Sequence, residues 1–125
     1  MSTTDNATTD NATTDNTNAR PSASFRFLIG LNDRHGRAVD RSALARAFAY
    51  LDRRFPCYTR TDAVGVWQGS TEPTAVVEVI QPDTDTNREQ AEHDARALAT
   101  ALDQECVGLA ILPLAAFILA PPFPR

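Results

Sequence analysis

The chain has 125 residues, 42% of them hydrophobic, and a formal net charge of −4; this supplies one domain with a two-layer core and leaves no room for a second. All twelve cations are arginine, as a GC-rich genome favours, and the acidic balance argues against nucleic acid as a partner. The two cysteines, Cys57 and Cys106, form no CxxC and no metal-ligand spacing, so reduced thiols in a cytoplasmic protein without a cofactor are the expectation.

Residues 3–17 repeat a five-residue unit, TTDNA, TTDNA, TTDNT, with no aromatic or large aliphatic side chain. Nothing in it offsets the entropy of ordering, so residues 1–23 are expected to be a disordered arm and residues 24–125 the folded domain. No cationic segment followed by an apolar run opens the sequence, and no secretory signal is expected.

In FRFLIGL, Phe25, Phe27, Ile29 and Leu31 alternate with Arg26, Leu28 and Gly30, which predicts a first strand with one strongly apolar face. The polar loop NDRHGR follows. Asp40 then suits an N-cap, Leu44, Ala47, Phe48, Leu51 and Phe55 recur at helical spacing, and Pro56 ends the helix after Arg53 and Arg54, whose charges complement its C-terminus. A second strand over Ala63–Gln68 and a third over Thr74–Gln81 are close enough to form a hairpin, with Val64 and Val66 on one side and Gly65 and Trp67 on the other. The third strand is apolar on both faces apart from Glu78, as suits a place near the sheet centre or under a partner.

Thr86 and Glu89 match a capping box that opens a second helix with Ala91, Ala95, Leu98 and Leu102 as its apolar stripe, and Glu92 and Arg96 are spaced to pair. Val107, Leu109 and Ile111 alternate as a fourth strand. The run Cys106–Pro124 is uncharged and approaches the length of a membrane span, but Gly108, Pro113, Pro121, Pro122 and Pro124 interrupt it. Leu114–Leu119 is therefore read as an extra short strand whose free edge invites a second subunit. The whole order predicts an α+β, ferredoxin-like split β-α-β sandwich, βαββαβ, with sheet order 4-1-3-2, both helices on one face and that additional C-terminal strand.

The charges divide unevenly: residues 20–60 carry nine arginines against three acids, and residues 61–125 three arginines against ten acids. A basic first helix beside an acidic second one accounts for this, and so does a basic patch for a small anion or an acidic protein partner. In the second case Arg34, His35, Arg37 and Arg41 are the ligand-binding candidates, because a glycine turn at a helix start with two guanidiniums can fork onto a carboxylate or phosphate. Glu89 and His93 share a helix face but lack further ligands for a metal site. The third strand, TAVVEVIQ, lacks the aromatics with which RNA-recognition domains of this topology stack bases. Trp67, Leu114, Phe117 and Leu119 are the interface candidates for a homo-oligomer, dimer or trimer.

Gly36-Arg37 after the first strand, Arg54-Phe55-Pro56 at the end of the first helix, Gly65-Val66-Trp67 in the second strand and Gln104-Glu105-Cys106-Val107 before the last together resemble an uncharacterised bacterial family of small domains. That resemblance covers about two thirds of the chain and implies no activity. Ala110-Ile111-Leu112-Pro113 followed by LAAFIL is similar to the strand-proline-strand ending of PII-like and CutA-like trimeric proteins. This second resemblance implies small-ligand sensing between subunits, although the link between the second and third strands is far shorter than a PII signalling loop. The expectation is a non-catalytic binding or regulatory module that self-associates; the alternative is a small enzyme with its site at the Arg34–Arg37 loop beside a subunit interface.

Overall fold

The alternation around Phe25, Phe27 and Ile29 organises the fold. In the computed structural model, which describes residues 22–124, these three side chains lie on one face of the strand β1 (Ser22–Gly30) and are fully enclosed. The elements run β1, α1 (Arg41–Arg54), β2 (Thr59–Trp67), β3 (Ser70–Pro82), α2 (Asp85–Ala101) and β4 (Gly108–Pro113). The strands form one antiparallel sheet in the order β2-β3-β1-β4. The fold is thus an α+β arrangement of a four-stranded sheet and two helices.

β1 begins at Ser22, so Ser22 and Ala23 belong to the strand and not to the arm; Ala23 pairs with Gln81 and Pro113 and is buried, a packing that the polar sequence around it does not signal. The rest of the expected arm, residues 1–21, lies outside the described residues. β2 starts four residues earlier than expected, because Thr59–Asp62 pair with β3 as an exposed edge that needs no apolar alternation. The β2–β3 link is only Gln68-Gly69, both at positive φ (50° and 80°), the two-residue turn whose twist matches a hairpin.

The helices cap differently from one another. The Asp40 carboxylate accepts from the Ser42 and Ala43 amides at the start of α1, as expected. α2 opens two residues before the expected box: Thr84 is extended and its hydroxyl takes the Asn87 amide at 3.1 Å. Thr84 and Thr86 offer the same hydroxyl, and the extended backbone at Thr84 decides between them. Glu92 and Arg96 pair at 2.6 Å as their spacing predicts.

Leu51, Ala47 and Phe55 of the first helical segment and Ala91, Ala95, Leu98 and Leu102 of the second pack on Phe25, Phe27, Ile29, Ala75, Val77 and Val79. Between the helices stands one polar contact, centred on the fully buried Asp94. Arg54 donates Nε and Nη2 to its two oxygens at 2.7 Å each, the Tyr50 hydroxyl donates at 2.5 Å and Gln90 at 3.2 Å. Burial pushes the Asp94 carboxyl up, but the hydrogen bonds from Arg54, Tyr50 and Gln90 outweigh it and hold the group below the usual aspartate range.

The expected fifth strand is absent: after Pro113 the chain makes one further backbone bond, Leu114 N–H to the Ser22 carbonyl at 3.1 Å, and Leu114–Leu119 then runs as irregular backbone. The outer edge of β4 is free, but no strand pairing joins Leu114–Leu119 to it. Leu114 is half-buried, while Phe117, Ile118 and Leu119 are exposed.

Removing the carboxylate of Asp94 leaves the Arg54 guanidinium and the Tyr50 hydroxyl without their acceptor. Asp94→Ala is expected to lower stability by about 3–5 kcal/mol in denaturant titration. Because the folded-state pKa lies below the unfolded one, this carboxylate's contribution is complete above the ordinary aspartate pKa and is lost as pH falls through the folded value. Stability measured from pH 5 downward therefore falls less steeply in Asp94→Asn than in the parent chain.

Candidate functional site

The residues of β1 that alternate with the core point to the other face of the sheet. Cross-strand pairing puts Ser24, Arg26, Leu28 and Gly30 beside Ile80, Glu78, Val76 and Thr74 of β3, with Leu112, Ala110 and Gly108 of β4 on one flank and Thr59, Thr61, Ala63, Gly65 and Trp67 of β2 on the other. No helix covers this face among the described residues: Leu28 is 43% and Trp67 59% exposed. At its centre the Ser24 hydroxyl donates to Glu78 at 2.5 Å and Arg26 Nε reaches the same oxygen at 3.1 Å. The Ser24 hydrogen bond first, then Arg26, holds the Glu78 carboxyl low.

Toward Gly30 the face becomes concave. β3 continues beyond the end of β1 with only β2 beside it, so the hairpin overhangs. The loop 31–39 and the segment 104–108 rise on the other side, enclosing a cleft of about 590 Å³. Its floor is low because residues 30, 65 and 108 are glycines. The missing side chain at Gly30 leaves room for what lies above it: a Cβ there would stand 2.7 Å from Oε2 of Glu72. The Glu72 carboxylate thus crosses over β1, and its Oε2 accepts the Asn32 amide at 3.1 Å. Gln104, 8% exposed, forms part of the wall; its Nε2 donates to the carbonyls of Gly30 and Asn32, while its Oε1 is buried without a partner.

The loop that carries the anion candidates lines this cleft, but its charges are turned on its own neighbours. Arg34 pairs with Asp103 at 2.9 Å, and Arg37 stands 3.6 Å from Asp33. Asp33 also accepts the amides of His35 and Arg37, at 2.8 and 3.0 Å; the Arg37 amide first, with the His35 amide and the Arg37 charge, keeps its carboxyl low. His35 is exposed. Arg41 opens α1 and has no ion pair among the described residues, yet the helix end beside it is already filled by the Asp40 carboxylate. The loop therefore presents guanidiniums that each face an acid, together with one free arginine outside the cleft.

Of the interface candidates, Trp67 lies on the uncovered face and at the rim of the cleft, whereas Leu114, Phe117 and Leu119 follow β4 at the far end. Cys57 and Cys106 are free, exposed and next to opposite edge strands. No group of three metal-ligating side chains forms among the described residues, Glu89 and His93 included, and none of the described helices is long and apolar enough to cross a membrane. A second hollow of about 370 Å³ lies between the end of α1 and the start of α2; its charged group and two of its amides are committed, Arg54 and Gln90 to Asp94 and Asn87 to Thr84 and the Pro82 carbonyl, and Cys57, Gln81 and Thr86 complete the polar lining.

Glu72 and the Gln104 amide are the cleft's residues that the sequence reading passed over. Glu72 lies between the expected second and third strands, and only its pairing opposite Gly65 places it on the uncovered face. Three of the four segments that carry the bacterial resemblance, around Gly36, Gly65–Trp67 and Gln104–Cys106, meet at this cleft. No protein-family model and no curated protein matches the chain.

Gly30→Ala displaces the flexible end of Glu72 at a stability cost under about 1 kcal/mol, since nothing rigid blocks the new methyl group. The Asn32 amide, deprived of its acceptor, is expected to shift in an amide correlation NMR spectrum and to exchange faster.

Proposed function

We propose that the chain is a self-associating binding module of the ferredoxin-like, split β-α-β kind, which covers its open sheet face with a second copy of itself and keeps the cleft at the Gly30 end for a ligand. The element order βαββαβ, with β1 between β3 and β4, supports the fold reading. The observation that carries the functional reading is the uncovered face itself. Nine residues of strand at ~3.3 Å and four strands ~4.8 Å apart make it roughly 19 by 30 Å. That projected area of roughly 570 Å² lies below the ~800 Å² per partner of a standard interface and suits the smaller, weaker class of pair.

The face is self-complementary. Arg26 and Glu78 are direct cross-strand neighbours, so a two-fold axis running between β1 and β3 sets Arg26 of one copy over Glu78 of the other. Leu28, Val76, Ile80, Ala110 and Leu112 surround that exchange with apolar surface. The sheet edges are less suited to association. β2 exposes Arg60 and Asp62, and β4 has six residues and ends at Pro113.

A dimer is expected in light scattering or sedimentation. Leu112→Glu, a surface change outside the cleft, converts it to monomer with the melting temperature of the folded subunit retained. A parent chain that is monomeric at tens of micromolar sinks the self-association reading.

A further inference from the structure

Resting on the reading that the uncovered face carries a ligand site, we propose that the cleft takes a small organic cation, an amine or guanidinium borne on a short apolar body, with Glu72 as its counter-charge and Trp67 as the surface against which it lies. The cleft is lined by Asp33, Glu72 and Glu105 against a single cation, Arg34, which is held by Asp103. Glu72 and Glu105 have no ion pair among the described residues. A site whose only guanidinium is spent and whose carboxylates outnumber it selects positive charge.

Glu72 is held in place for this role. Its Oε2 is fixed by the Asn32 amide over the bare Cα of Gly30, and its Oε1 makes no hydrogen bond among the described residues. Glu72 pairs with Gly65 and Ser70 with Trp67, so residues 67 and 72 are diagonal neighbours on the same face, and Gly65 adds no side chain to the cleft between the strands. An exposed indole and a carboxylate without an ion pair, lining the same cleft, suit a cation with an extended apolar body that reaches both. Independently, the wall of the cleft contains an acceptor that the fold leaves unused, Oε1 of Gln104, on a side chain more than nine-tenths buried. Buried acceptors without partners are rare, and an N–H donor seated in the cleft against Gln104 would satisfy this one once the amide turns toward it.

The acceptors are spread along the cleft and no three metal-ligating groups converge among the described residues, so the fit is to an extended organic cation and not to a metal ion. The cleft's volume lies within the range of small-molecule sites.

Trp67 is the single tryptophan and reports on the site directly. The full chain is titrated with phenethylamine and with agmatine, and in parallel with phenylacetate and inorganic phosphate, following indole emission and melting temperature. At least one amine is expected to give a saturable change in emission, weakened about tenfold or more in Glu72→Gln. Gly30→Ala, which keeps the carboxylate but moves it, weakens it similarly, and Glu92→Gln on the helical side leaves it unchanged. Silence toward both amines, or equal responses in the parent chain and Glu72→Gln, overturns the proposal. In that event a response to phosphate or phenylacetate that Arg34→Ala removes keeps a ligand site at this cleft and changes only its class. Silence toward all four probes takes the ligand-binding reading with it.

Discussion

A carboxylate with no access to water holds the helical layer together. Moving Asp94 out of solvent costs several kcal/mol, and it is tolerated because every donor that reaches it comes from a fixed place: the fork of Arg54, the hydroxyl of Tyr50 and the amide of Gln90. The apolar stripes of both helical segments are spent on the sheet, so this cluster registers one helix against the other. Its influence reaches further along α2. The turn that ends α2 carries Asp103 at positive φ and then Gln104, and those two residues bind Arg34, Gly30 and Asn32. The wall of the cleft is thus an extension of a helix whose position is set at Asp94.

The two faces of the sheet divide the molecule's tasks. Odd-numbered residues of β1 are sealed under the helices, and on the other face the exposed Arg26 and part-exposed Glu78 form a cluster over the buried Ser24 hydroxyl. A charged cluster in the middle of a surface of aliphatic and threonine side chains discourages indiscriminate sticking and favours a partner that answers both signs. The overhang of the β2–β3 hairpin makes one end of that surface hollow. The same overhang explains why Val64, on the helical side, is 74% exposed: the helical layer does not extend beneath it.

Much of this architecture was legible in order and spacing. The Phe25–Phe27–Ile29 alternation, the stripes of both helices, the Asp40 cap and the hairpin all carry a local periodic or turn signal. Asp94 carries none, because in Glu92-His93-Asp94-Ala95-Arg96 it reads as another acid on a charged helix, and only the arrival of Arg54 and Tyr50 from α1 distinguishes it. The cleft was illegible for the same reason: Gly30, Glu72 and Gln104 are far apart along the chain and meet only through strand register and one side-chain amide. The tail misled in the opposite direction: LAAFIL has strand propensity, yet it pairs with neither edge of the sheet. The uneven charge found its structural use in the Arg54–Asp94 link between the helices, while the loop arginines were drawn to nearby acids.

The meeting of Ala23 with Pro113, and of the Leu114 amide with the Ser22 carbonyl, has a topological consequence. The backbone enters β1 and leaves β4 side by side, so the folded unit is almost a closed ring, cut at the pole opposite the cleft. A short linker joining those neighbours and a new cut at Gln68-Gly69 would give a permuted chain with every strand pairing kept and a single turn lost. Its new ends would lie at the overhang, where attached groups could be brought next to Trp67 and Glu72 without disturbing the helical layer.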